Sequence, residues 1–275
     1  MKNFSLRLLT GVVYVSLIAS GIIVNQYTFL CLFSIIAVLC LREFYHLINT
    51  QKGTKINLWH NCLGGLLLFV SSYLYASNTL GYSVLLLYLL YIVSVLVSSL
   101  YEKREDPITH IAYIFFGQCY IALPLSLLNV LAFQHNAPED PSYYYLFILS
   151  LFVFIWINDT GAYLVGMLLG KHRLFPRISP KKSWEGFFGG LVFTVASSFI
   201  FAHYEPTIPY YHWIGISILV VVFGTWGDLV ESLIKRTLEV KDSGKSLPGH
   251  GGFLDRFDSL LLAIYAALFY VQLFI

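Results

Sequence analysis

Charge is what this sequence has least of. Asp, Glu, Lys and Arg make up 12% of its 275 residues, against 57% hydrophobic. There is no low-complexity segment, no internal repeat and no polar stretch long enough for a separate soluble domain. Alternation of apolar and polar residues in ~10-residue pieces is also missing, which excludes a transmembrane β-barrel. Nothing resembling a small-x-small cleavage site follows the first apolar run, Met1–Val24, so that run is read as a retained helix rather than a signal peptide. Cysteine is scarce: Cys31, Cys40, Cys62 and Cys119 all lie in apolar runs without metal-ligand spacing and are read as packing residues. A net charge of +2 says little by itself, its placement says more, and no nucleic-acid partner is expected.

What is present is a series of apolar runs of the ~20 residues that a ~30 Å hydrocarbon layer requires. Nine can be drawn, near 5–24, 27–47, 58–76, 80–100, 109–133, 143–170, 185–203, 210–235 and 256–275. The sixth is long enough to tilt or break at Gly161, Gly166 or Gly170. The 17 Lys and Arg residues all fall at the N-terminus or in and around the even-numbered connections. The positive-inside rule then makes the chain an all-α polytopic membrane protein with about nine transmembrane helices, its N-terminus cytoplasmic and its C-terminus outside. Residues 1–142 read as scaffold and a possible dimer surface. Residues 143–275 carry the informative polar groups, with cytosolic loops at 171–184 and 236–255.

Three clusters stand out. Asn158 and Asp159 sit within an apolar run, where an ionisable group is by default a functional candidate; the plainer reading is a helix end at the interface. Ser179-Pro180-Lys181-Lys182-Ser183-Trp184-Glu185-Gly186 follows, with Pro180 expected to fix a turn and Ser183 to cap the next helix. Its lysines suit either substrate phosphates beside a helix N-terminus or anionic lipid headgroups. The third cluster, Ser232 to Asp258, holds nine charged residues in 27 positions. Asp228, Ser232 and Lys235 fall on one helix face at i, i+4 and i+7, and Asp255 and Asp258 open the last helix. Two carboxylates from separate helix ends form a hard-oxygen site for Mg²⁺, which binds through one or two carboxylates plus substrate phosphates. Gly251 and Gly252 beside His250 allow backbone to approach a phosphate. Lys235, Arg236, Lys241, Lys245 and Arg256 supply positive charge. The alternative is a loop of salt bridges such as Glu231 with Lys235.

Ser232, Lys235, Arg236, Lys241, Asp242, Gly244, Leu247, Pro248, His250, Gly251, Gly252, Asp255, Arg256 and Asp258 together closely resemble the signature of the phosphatidate cytidylyltransferase (CDP-diacylglycerol synthase) family. The Asn158-Asp159 and Ser179–Gly186 stretches are similar to its other landmarks, with Ser183 where many members have Thr. The resemblance is strong over residues 150–275 and extends to topology alone in the N-terminal half. It implies transfer of CMP from CTP to phosphatidate, giving CDP-diacylglycerol and pyrophosphate. The expected setting is a homodimer embedded among membrane lipids of the inner (cell) membrane, its active site on the cytoplasmic face. The resemblance also implies Mg²⁺, paired with a monovalent cation such as K⁺. Metal binding is assigned to Asp228 and Asp255, with Lys235 and Asp258 also catalytic. Substrate binding is assigned to Asn158, Asp159, Ser179, Lys181, Lys182, Ser232, Arg236, Lys241, His250, Gly251, Gly252 and Arg256. Two competing functions remain on this reading: a CTP-dependent kinase of a lipid alcohol, which would release CDP, and a transporter.

Overall fold

The computed structural model describes residues 2–51, 54–133, 142–244 and 251–275, with side chains from residue 10 onward. The expected site residue His250, and Lys245, Leu247 and Pro248 of the same pattern, lie outside the described residues.

Each apolar run is helical, because a helix satisfies its own backbone polar groups where no water can. In order these are α1 Lys2–Ile23, α2 Gln26–Ile48, α3 Leu58–Ala76 and α4 Leu86–Tyr101, the last entered through a 3₁₀ turn at Tyr82–Leu85. Then come α5 Pro107–Gly117, α6 Leu123–Ala132, α7 Tyr145–Leu169, α8 Trp184–Tyr204, α9 Tyr210–Thr237 and α10 Leu254–Phe274. Among the described residues, seven helical stretches are long and apolar enough to cross a membrane: α2, Tyr82–Tyr101, Pro107–Ala132, α7, α8, α9 and α10. In α1, Thr10–Ile23, the part with described side chains, is apolar as well. α3, which carries His60, Asn61, Gly64 and Gly65, is not among the seven.

The chain forms two compact units, Met1–Tyr145 with Asp242–Asp255, and Leu146–Lys241 with Arg256–Ile275. In the first, α3 packs against α2 and α6. Asn25 opens α2 with a reciprocal capping box to Thr28, and Asp106 caps α5 ahead of Pro107. The Asp106 carboxyl is held below its usual range by its hydrogen bond to Thr109. A π turn at Gln118–Ala122 joins α5 to α6, with Leu123 N–H donating to the Gln118 carbonyl. The widened turn relieves the clash between Pro124 and the preceding turn of helix. Inside this unit Gln118 Nε2 donates to Tyr45 Oη at 3.0 Å and to the Asn61 carbonyl at 2.8 Å. Tyr91 Oη donates to Asn61 Oδ1 at 2.7 Å.

In the second unit α7 is unbroken, so its glycines do not make the interruption anticipated for them. Gly161 and Gly166 instead let α8 approach closely: a Cβ on Gly161 would lie 3.2 Å from Gly190 Cα, and one on Gly186 2.8 Å from the Ala162 carbonyl. Trp213 is fully buried between Phe147 and Phe201. The loop after α7 folds as an antiparallel hairpin, β1 Arg173–Phe175 and β2 Ser179–Ser183. Apart from this short ribbon the described residues fit the expected all-α polytopic membrane protein. Pro180 lies within β2 rather than in the turn, a position that the exposed edge of a two-stranded ribbon permits. Two of the cysteines expected in the packing, Cys31 and Cys119, are exposed on their helices; Cys40 and Cys62 are buried.

Candidate functional site

Ser183 caps α8 as expected, its hydroxyl accepting from the Gly186 amide at 3.1 Å. One turn along, Glu185 reaches back to the start of the hairpin. Its carboxylate accepts from the amides of Lys171 and His172 and lies 2.6 Å from His172 Nδ1. Arg173 pairs with Ser183 in the ribbon, and its guanidinium donates to the Lys181 carbonyl. The hairpin backbone is thereby tied to the helix at both ends.

Side chains of the hairpin border a cavity of ≈ 550 Å³ in the second unit, a size usual for small-molecule sites of about 300–1,000 Å³. Arg173, Lys181 and Lys182 supply its positive charge; Asn158, Asp159, Thr225 and Asp228 face it from α7 and α9. Tyr163, Met167 and Phe187 form an apolar wall. Lys182 Nζ stands 2.7 Å from Asp228 Oδ2, with both side chains partly exposed. The other carboxylate oxygen accepts from Ser232 Oγ at 3.2 Å. Asn158 is buried, and its Oδ1 has no hydrogen-bond partner among the described residues.

Asp258 on α10 interacts electrostatically with Asp228, Glu231 and Asp159, and Asp159 in turn with Lys182 and Arg256. α9 and α10 approach closely at Gly227, where a Cβ would lie 2.5 Å from the Asp258 carbonyl. Like charges that interact in this way repel unless cations share the space.

The expected site residues therefore sort by position. Asn158, Asp159, Lys181, Lys182 and Asp228 line the cavity, and Ser232 supports Asp228. Ser179 is half-buried opposite Phe175 in the ribbon. Lys235 donates to the buried Glu231 at 2.7 Å. Arg236, Lys241 and Arg256 are exposed. Asp255, Gly251 and Gly252 belong to the loop of the first unit. There the Asp255 carboxylate accepts from the Gly252 amide at 2.8 Å and the Ser243 amide at 3.0 Å. Gly251 has φ +85°, and a Cβ there would lie 2.8 Å from Asp255 Oδ2, so both conformation and space demand glycine.

Among the polar residues, Arg173, Thr225 and Glu43 were given no site role from sequence. Arg173 lines the cavity because the ribbon pairs it with Ser183, and so short a ribbon leaves no alternation to read. Thr225 reaches the cavity three residues before Asp228, close to one helical turn and so on the same face; that spacing was the available signal. Glu43 of α2 belongs to a half that reads as scaffold, yet its carboxylate accepts from the Leu254 amide at 3.0 Å and from Ser243 Oγ at 3.2 Å. Its acid in an apolar run was its only signal.

Residues 5–274 match the profile of the cytidylyltransferase family. A phosphatidate cytidylyltransferase of Bacillus subtilis (strain 168) is 34% identical over 283 residues, covering the whole of both chains. The phosphatidate cytidylyltransferase of Staphylococcus aureus (strain COL) is 46% identical over 123 residues, 43% of this chain and 46% of that one. That of Staphylococcus haemolyticus (strain JCSC1435) is 45% identical over 119 residues, with the same shares. The profile match spans nearly the entire sequence and the first of these relatives aligns from end to end: the chain belongs to the cytidylyltransferase family.

Proposed function

We propose that this chain transfers CMP from CTP to phosphatidate, giving CDP-diacylglycerol and pyrophosphate. The observation that carries the reading is the cavity in which Arg173, Lys181 and Lys182 face Asp159 and Asp228 beside an apolar wall. Cations there suit phosphates, and Tyr163, Met167 and Phe187 suit the apolar part of a lipid. The phosphate oxygen of phosphatidate attacks the α-phosphorus of CTP, and the bond to the β-phosphate oxygen breaks as pyrophosphate leaves. That nucleophile is already anionic near neutral pH, so positioning and charge neutralisation carry the catalysis. In this reading Arg173, Lys181 and Lys182 hold phosphates, and Asn158 offers its buried amide to the nucleotide.

Mg²⁺ fits the donor set. Asp228 presents hard oxygen, and the neighbouring acids Asp159 and Asp258 add negative potential. Among the described residues no three His, Cys, Asp or Glu side chains gather as a ready-made cage, and Mg²⁺ needs none, since it keeps waters and takes substrate phosphates as ligands. Asp228 would hold it. Asp255 stands as the second ligand on the motif alone, with K⁺ as a companion ion on the family resemblance. When bound, the ion neutralises charge on the phosphates. Nine spans with the basic connections in the cytosol, a site on the cytoplasmic face of the inner membrane, and a homodimer complete the proposal. Its support is the distribution of Lys and Arg and the family resemblance.

Turnover of α-³²P-labelled CTP with phosphatidate and Mg²⁺ by the purified protein in detergent tests it. Label passing into the lipid phase, dependent on both phosphatidate and metal, is the expected result. Transfer of γ-label into a lipid alcohol instead would replace the proposal with the kinase reading.

A further inference from the structure

Each oxygen of the Asp228 carboxylate already has a partner within the protein. Ser232 Oγ donates to Oδ1, and Lys182 Nζ sits at 2.7 Å from Oδ2. A divalent ion bound to Oδ2 at about 2.0–2.1 Å and an ammonium at hydrogen-bond distance from the same atom would repel each other strongly in a partly buried site. Lysine and metal are therefore alternative partners of that oxygen. Among the described residues lining the cavity, Lys182 is the one cation ion-paired to a carboxylate; Arg173 spends a donor on the Lys181 carbonyl. Lys182 also acts electrostatically on Asp159, so its departure would remove positive charge from two acids at once. A long, flexible ammonium at the edge of a hairpin can make that move at little cost to the fold.

We propose that Lys182 is an exchangeable counter-ion, which leaves Asp228 for the triphosphate of the nucleotide as a divalent cation takes its place, so that metal and nucleotide bind cooperatively. This rests on the assignment of the metal to Asp228 and adds to it a second role for a residue otherwise read as a phosphate ligand. The consequence is paradoxical for a phosphate-binding lysine. Removing its charge weakens nucleotide binding yet strengthens metal binding by the nucleotide-free protein. By linkage, each ligand favours the other to the same degree.

The test is Mn²⁺ binding to the full chain in detergent without nucleotide, followed by electron paramagnetic resonance. Lys182→Gln is expected to bind Mn²⁺ about fivefold more tightly than wild type or better, the lower end of ordinary coupling. Lys182→Arg, which keeps the charge, should stay near wild type. The affinity of Lys182→Gln for α,β-methylene CTP should fall in parallel. If the Gln variant loses its melting transition, Lys182→Met gives the same reading with a side chain of similar length. Mn²⁺ affinity unchanged or weaker in a folded Lys182→Gln or Lys182→Met variant overturns the proposal. Asp228→Asn separates the two ideas. Should it abolish Mn²⁺ binding while the neutral Lys182 variants gain nothing, the exchange alone is wrong. Should it bind Mn²⁺ as wild type does, the metal assignment falls and the exchange falls with it.

Discussion

Both units place polar side chains among apolar helices, and one cluster in each shows two opposite treatments. In the first, Gln118, Tyr45, Asn61 and Tyr91 spend their hydrogen bonds on one another and on backbone carbonyls, and Gln118 and Asn61 are almost wholly buried. In the second, Asn158 keeps a buried oxygen without a partner among the described residues, while Asp159, Arg173 and Lys181 turn to an open cavity. A closed polar network contributes rigidity and a defined packing, since each member would be costly to leave unpaired away from water. An open one keeps its hydrogen-bonding capacity for a ligand. Polarity within an apolar helix is thus no mark of a site by itself; what matters is whether the protein consumes it.

The contrast can be broken at its sharpest point first. Asp228→Asn keeps the shape of the side chain but removes its charge from the cavity. Transfer of label from CTP to lipid should drop by ~10²-fold or more, the scale of losing a preorganised electrostatic contact, with the melting temperature little changed. Activity near wild type would mean that the cavity is not the reaction site. Gln118→Leu makes the opposite cut. It leaves the Asn61 carbonyl and the Tyr45 hydroxyl each short of a partner, which costs roughly 1–3 kcal/mol. Thermal unfolding in detergent should begin at a lower temperature while the KM for CTP holds. A changed KM with unchanged stability would show that the closed network serves the chemistry after all.

The smallest effect lies where α9 ends. The Val240 and Glu239 amides return to the carbonyls of Lys235 and Arg236, and Glu239 takes the left-handed conformation, φ +58°. That position of a Schellman motif favours glycine. Glu239→Gly should therefore raise stability by about 1 kcal/mol, the steric cost that a side chain bears there, without altering turnover. A lower melting temperature would show that the Glu239 side chain has a role the backbone does not reveal.

Much of this was legible beforehand because it is local. The run drawn at 58–76 is α3 residue for residue, and the one at 27–47 is α2 to within one residue at each end. Ser232 bonds to Asp228 at the predicted i, i+4 spacing. The hairpin was not legible, since strands of three and five residues between two helices offer too little alternation. Nor was the role of the α7 glycines, because a glycine that bends a helix and one that admits a neighbour look alike in sequence. Among the described residues seven helical stretches have spanning length and apolarity, and the α3 run is not one of them because it dilutes its leucines with His60, Asn61 and glycines.

The order of residues alone is enough for the placing of most helices and for the family, because hydrocarbon-length apolar runs must close their own hydrogen bonds and a motif is read in order along the chain. Only the tertiary structure decided that Lys182 meets Asp228, that Arg173 joins the cavity, and that Glu43 holds Ser243 and Leu254. Each of those contacts joins different elements or distant parts of the chain, and is set by how helices and hairpin pack rather than by any spacing along the sequence.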